Sequence, residues 1–196
     1  MAKLYFRYGA MGCGKTMQLL QVAFNYEERG HKVCVIKPKT DTKHGEHIYT
    51  RIGPERETDF CFDKSTDLYK KITKDYKDVS CILVDEAQFL TKKQVDELMK
   101  ITIDLDIPVM CYGLRLNFKC EDGGFEGATR LLQLAHEIEE LKTICECGKK
   151  ATLNARFLND KLVADGPDIL IDDGKTKIEY RAICPACYEK YLKGEK

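Results

Sequence analysis

Gly9, Ala10, Met11, Gly12, Cys13, Gly14, Lys15 and Thr16 complete the pattern GxxxxGK[ST]. They stand between an apolar segment, residues 4–8, and a stretch in which Leu19, Leu20, Ala23 and Phe24 recur at helical spacing. Glycines in such a loop let successive backbone N–H groups converge on phosphate oxygens, and the helix that follows turns the positive end of its dipole toward the same place. Lys15 then reaches the β- and γ-phosphates of a nucleoside triphosphate, while the Thr16 hydroxyl ligates Mg²⁺. The competing reading is a glycine turn that merely joins strand to helix; Lys15 and Thr16 together in this context weigh against it.

Asp85 and Glu86 end a second apolar run, residues 79–84. Asp85 reads as a Walker-B carboxylate that orients Mg²⁺, which leaves Glu86 free to accept a proton from an attacking hydroxyl. The pair alone does not separate a kinase from an ATPase, in which the same glutamate activates water. A third cluster, Cys145-x-Cys147 with Cys184-x-x-Cys187, offers four thiolates for a closed tetrahedral zinc site of structural type. Reduced core cysteines are the alternative, and a redox pair is a weaker one.

These residues need a scaffold. Residues 4–8, 33–36, 79–84 and 109–112 read as buried strands, with helices over 17–29, around 68–72, and from an N-cap at Thr91 to about 104. Residues 39–63 are polar and read as a long loop. Strands alternating with helices predict an α/β fold, a P-loop NTPase-like parallel sheet flanked by helices, with ligands at the carboxyl ends of the strands. Past residue 143 the texture turns to short segments and paired cysteines, so 1–143 is read as the nucleotide-binding domain and 144–196 as a small zinc-ribbon subdomain.

Composition narrows the function. In 196 residues Lys plus Arg and Asp plus Glu both total 32, so no net field draws a polyanion along the whole molecule, and extended nucleic-acid binding is not expected. No stretch approaches the roughly 20 apolar residues of a membrane span, and no secretory leader is evident. Four of the ten cysteines have metal-like spacing and the others are scattered, which fits a reducing, cytoplasmic compartment. An ATP-driven remodelling protein gripping nucleic acid through zinc is the rival class; the charge balance and the lack of a basic stripe count against it. A zinc-ribbon interaction module on a degenerate nucleotide-binding domain is a third, opposed by intact Lys15, Thr16, Asp85 and Glu86.

In combination, residues 9–16, Asp41, Thr50-Arg51-Ile52-Gly53, Val84 through Phe89, Cys111 through Arg115 with Phe118, and Tyr180 four residues before Cys184 resemble the thymidine kinases of cellular and bacterial type over essentially the whole chain. The resemblance implies transfer of the γ-phosphoryl group of ATP to the 5′-hydroxyl of thymidine in nucleotide salvage, with deoxyuridine left open as a further acceptor. Glu86 would be the general base, and Asp85 and Gln88 would join residues 9–16 in the ATP site. Met11, Phe89, Leu114 and Phe118 would line the base pocket. Ile171, Asp172 and Tyr180 would lie on a zinc-anchored lasso whose backbone reads the thymine edge. Mg²⁺ with ATP, a structural Zn²⁺, feedback binding of dTTP and a homotetramer are implied as well. Ala10, Gly12 and Cys13 stand where the family commonly has Pro, Phe and Ser, and residues 172–176 depart from its usual shorter, glycine-containing turn.

Overall fold

The computed structural model describes residues 1–40, 45–119, 124–166 and 177–194. Six strands form one wholly parallel sheet: β1 (Leu4–Tyr8), β2 (Val33–Pro38), β5 (Phe60–Phe62), β6 (Cys81–Val84), β7 (Val109–Gly113) and β8 (Glu137–Glu140), in the order β5-β2-β6-β7-β1-β8. Alternation along the strands sends their apolar side chains to two faces. Val33, Val35, Cys81, Leu83 and Tyr112 pack on one face with Leu19, Leu20 and Ala23 of α1 (Lys15–Glu27). Leu4, Phe6, Cys34, Ile36, Ile82, Val84, Val109 and Cys111 pack on the other, under α2 (Leu68–Asp75), α3 (Lys92–Asp104) and α4 (Glu126–Leu134). Helices on both faces bury the central strands twice over, which explains the unbroken apolar runs in β2 and β6.

Residues 39–63 are not the long loop their polarity suggests. They hold β5, at the sheet edge, and a hairpin of β3 (His47–Tyr49) and β4 (Glu55–Glu57) paired antiparallel. Ile48 anchors that hairpin in the α1-side core, buried Lys37 donates to the His47 carbonyl at 2.8 Å, and Arg56 pairs with Glu27 at the end of α1. One buried residue and two cations fix a hairpin whose remaining residues are mostly charged or polar, so periodicity could not reveal it.

After β8 come a two-stranded ribbon, β9 (Thr143–Ile144) with β10 (Lys150–Ala151), and a three-stranded antiparallel sheet of β11 (Leu153–Leu158), β12 (Lys161–Leu162) and β13 (Ile178–Ile183), followed by α5 (Pro185–Leu192). Cys145, Ala151, Ala155, Phe157, Ile183, Cys184 and Tyr188 form their own core there. Among the described residues no helix is long and apolar enough to cross a membrane.

α3 begins at Thr91, which the sequence marks as its N-cap, and the cap is reciprocal. The Thr91 hydroxyl accepts from the Gln94 N–H, and Gln94 Oε1 accepts from the Thr91 N–H at 3.0 Å. Buried Gln94 also donates to the carbonyls of Asp63 and Thr66 at 2.7 and 3.0 Å. Gln94→Ala removes both functions and is expected to destabilise the fold by about 2–3 kcal/mol, measured by urea unfolding. A loss within the roughly 0.5 kcal/mol of ordinary surface substitutions would refute the assigned role.

Candidate active site

The chain leaves β1 through residues 9–14 and enters α1 at Lys15. Gly12 and Gly14 adopt positive φ of 75° and 83°, and Gly14 is the N-cap, so the loop curls back with its amides at the helix start. α1 therefore begins at Lys15, two residues earlier than the apolar spacing indicates. Lys15 is 8% exposed, and its ammonium is held by the carbonyls of Gly9 and Ala10, both at 3.1 Å. Cys13 Sγ lies 3.6 Å from the same nitrogen.

Asp85 follows the last residue of β6, two strands from β1 across β7. Thr16 Oγ1 donates to its carboxylate at 3.3 Å and the Glu86 N–H donates at 3.0 Å. Asp85 is 5% exposed, and burial, reinforced by the neighbouring Glu86 charge, pushes its pKa up to about 7. A hydroxyl beside a buried carboxylate whose charged form is disfavoured is a donor set suited to a hard divalent cation, which would favour the charge that burial opposes.

Glu86 has a left-handed backbone, φ 48°, unusual for a residue with a side chain and typical of strain kept at functional turns. Its carboxylate accepts from Gln88 Nε2, and it lines a cleft of about 400 Å³ with Met11, Gly12, Gly14, Lys15, Thr16 and Leu114. The rim opposite is Tyr49, Thr50, Arg51 and Ile52 at the tip of the β3–β4 hairpin. The structure thus gathers the phosphate-loop residues, Asp85, Glu86, Met11 and Leu114 at one place. Gln88 is buried instead beside Leu114, whose N–H it accepts at 2.9 Å.

Phe89, Phe118 and Tyr180 are not among the residues that line this cleft. Phe118 is buried, with the Arg156 guanidinium 3.6 Å from its ring centroid and the Tyr180 ring 6.4 Å away, edge-on. Phe89 packs edge-on against Phe125 at 5.4 Å, a partner the motifs did not single out. Arg115 lies over the Tyr8 ring at 5.6 Å, whereas Arg51 faces the cleft. Ile171, Asp172 and Asp41 lie outside the described residues.

Asn154 on β11 carries a contact that no motif announced. Its Oδ1 accepts from the Met11 N–H at 2.8 Å, and its Nδ2 donates to the Leu116 carbonyl at 3.2 Å. Buried Arg156 shares its strand, alternating with the Ala155 and Phe157 that enter the second core, and nothing in the local sequence sets Asn154 apart. Cys145, Cys147, Cys184 and Cys187 bring their four sulfurs within 4.8 Å of one another, with Cys147 and Cys184 at 3.6 Å. Zinc–sulfur bonds of about 2.3 Å imply tetrahedron edges of about 3.8 Å, so the cluster fits zinc. Cys184 caps α5 and accepts from the Cys187 N–H, which with its thiol neighbours lowers its pKa to about 7.

A family model described as thymidine kinase matches residues 2–188. The chain is 42% identical over 190 residues to the thymidine kinase of Chromobacterium violaceum, covering 96% of this chain and 98% of that one. It is 41% identical over 191 residues to the thymidine kinase of Francisella tularensis subsp. holarctica, covering 94% and 95%, and 41% over 195 residues to that of Streptococcus gordonii, covering 98% and 97%. Two solved structures resemble it more loosely. A DNA replication initiation factor matches at 17% identity and TM-score 0.41, covering 72% of this chain, which spans only 40% of its length. Bacteroides Pif1 bound to ssDNA matches at 19% and 0.40, covering 71% and 38%. Likeness that loose bears on neither activity nor ligand.

Asn154→Ala leaves the Met11 N–H and the Leu116 carbonyl without their side-chain partner at a buried seam, and a loss of about 1–3 kcal/mol on urea unfolding is expected. Unchanged stability would show that the seam does not depend on this amide. Elemental analysis of the purified protein should find one zinc ion per chain, and Cys184→Ser should lower it toward none; no zinc in the unaltered protein, or full retention in the variant, would exclude the four-thiolate set.

Proposed function

The chain belongs to the thymidine kinase family, and on that premise we propose how its own residues carry out the reaction. The γ-phosphoryl group of ATP passes to the 5′-hydroxyl of thymidine, giving dTMP and ADP in nucleotide salvage. The observation that carries the assignment of roles is the meeting of Lys15, Thr16 and Glu86 in one cleft.

The amides of residues 9–16 receive the phosphates, and Lys15 turns from its loop carbonyls to the β- and γ-oxygens. Thr16 and Asp85 would hold Mg²⁺, which would supply charge neutralisation to the phosphate oxygens. Glu86 takes the proton of the 5′-hydroxyl as its oxygen bonds to the γ-phosphorus, while the bond from that phosphorus to the β–γ bridging oxygen breaks and ADP leaves with the electron pair. Positioning and charge supply the rate, because such a transition state asks for little covalent help.

Met11 and Leu114 form the near wall of the nucleoside pocket, Phe89 and Phe118 its aromatic sides, and Tyr180 its cover, with Ile171 and Asp172 completing that cover. Apolar walls suit a methylated pyrimidine, and backbone polar groups read its edge. The division into residues 1–143 and 144–196 follows the separate core around Phe157 and Ile183. Zn²⁺ on the four cysteines anchors the second unit and takes no part in the chemistry. A cytoplasmic homotetramer that binds dTTP as a feedback ligand and does not engage nucleic acid completes the proposal, with deoxyuridine left open as a second acceptor.

Glu86→Gln keeps the shape and removes the base. ADP release coupled to thymidine should fall at least a hundredfold in kcat, within the range of general-base catalysis, with KM for ATP little changed. Wild-type turnover in this variant would remove Glu86 from the role. ATP consumption indifferent to added nucleoside, with no dTMP formed, would remove the kinase reading itself.

A further inference from the structure

Gln88 sits in the single turn Ala87–Phe89 between the carboxylates and α3, and it is 2% exposed. Both ends of its amide are engaged. One end meets the Leu114 N–H at 2.9 Å and the other meets the Glu86 carboxylate. Chemistry settles which end is which: a backbone N–H can be met only by the amide oxygen, so the NH₂ faces the carboxylate, which can only accept. The side chain lies flat against the end of β7, where a Cβ on Gly113 would stand 2.8 Å from its oxygen. Gln88 therefore has its carbonyl committed to Leu114, one amide hydrogen committed to Glu86, and almost no surface facing the cleft.

Glu86 needs such a restraint. Its side chain has three rotatable bonds on a left-handed backbone at the tip of a turn, and a base must be held within a fraction of an ångström of its productive geometry. We propose that Gln88 is a positioning residue for Glu86, an amide strut that fixes the base relative to the end of β7, and that it is not a phosphate ligand. Leu114, gripped by the same amide, lines the cleft that Glu86 lines. The strut thus sets the wall and the base together, so that an acceptor seated against Leu114 presents its hydroxyl to Glu86. This rests on Glu86 acting as the base.

Two variants of the full-length, metal-replete enzyme separate the bonds. Gln88→Met keeps the volume and loses both; Gln88→Glu keeps an acceptor for the Leu114 N–H and loses the donor to Glu86. In both, kcat should fall about tenfold to a hundredfold, the usual effect of removing a group that orients a functional side chain, with KM for ATP and for thymidine moving less than about threefold. A phosphate ligand would give the opposite split, with KM for ATP rising and kcat held, and that result overturns the proposal. Combining Gln88→Met with Glu86→Gln supplies a readout that a merely structural role would not pass: the double variant should be no slower than Glu86→Gln alone, whereas a further tenfold loss shows that Gln88 does not act through Glu86. If one Gln88 variant fails to fold, the other carries the same split and cycle; if neither folds, the residue is a core support and the proposal fails. Full activity in Glu86→Gln alone would defeat the base assignment, while its normal loss beside unaffected Gln88 variants would defeat only the strut.

Discussion

A carboxylate buried at the end of a strand that is itself buried on both faces sets the terms for this molecule. Asp85 loses water on entering that position, and burial together with the Glu86 charge drives its pKa toward neutrality. Such a group persists only where opposing charge and donors converge on it. Here the Thr16 hydroxyl and the Glu86 N–H do so directly, with the Lys15 charge acting at longer range. None of these is near Asp85 in sequence except Glu86. Strand order brings them together: β7 separates β6 from β1, so the carboxylates, the phosphate loop and the residues after Gly113 leave three adjacent strands at the same edge. Parallel pairing makes all three edges carboxyl ends, and the helices that begin there add their dipoles.

The parts of this arrangement that were legible in the sequence are those whose signal is local. Residues 9–16 carry a fixed spacing, β6 an apolar run too long to be half exposed, and α3 a cap residue that its own side-chain chemistry demands. β8 illustrates the opposite case: Glu137-Ile138-Glu139-Glu140 is charged because it is an edge strand, and only its pairing with β1 makes it a strand at all. The β3–β4 hairpin escaped for the same reason, since its fixing contacts, Lys37 to His47 and Arg56 to Glu27, span 10 and 29 residues. Asn154 was invisible because its partners lie 143 and 38 residues away. Motifs locate the chemistry; long-range polar contacts, which decide how tightly it is held, leave no pattern in the local sequence.

That distinction bears on why a cysteine cluster remote from the phosphate loop belongs to the working enzyme. Cys184 comes directly after β13, and the register of β13 on β11 sets Ala182 opposite Asn154 and Tyr180 opposite Arg156. With β11 held, a slip of one residue in that pairing would turn the β13 side chains, Ala182 and Tyr180 among them, to the other face of the sheet. Tyr180 would then leave Phe118, over which the Arg156 guanidinium also lies. Four sulfurs drawn to one point oppose the slip, because Cys145 and Cys147 precede β10 while Cys184 and Cys187 follow β13, and a metal held there would tie the two segments together. Strand register thus links the cysteine cluster to the phosphate loop: Cys184 follows Ile183, Ile183 pairs with Leu153, and the next residue, Asn154, accepts from the Met11 N–H.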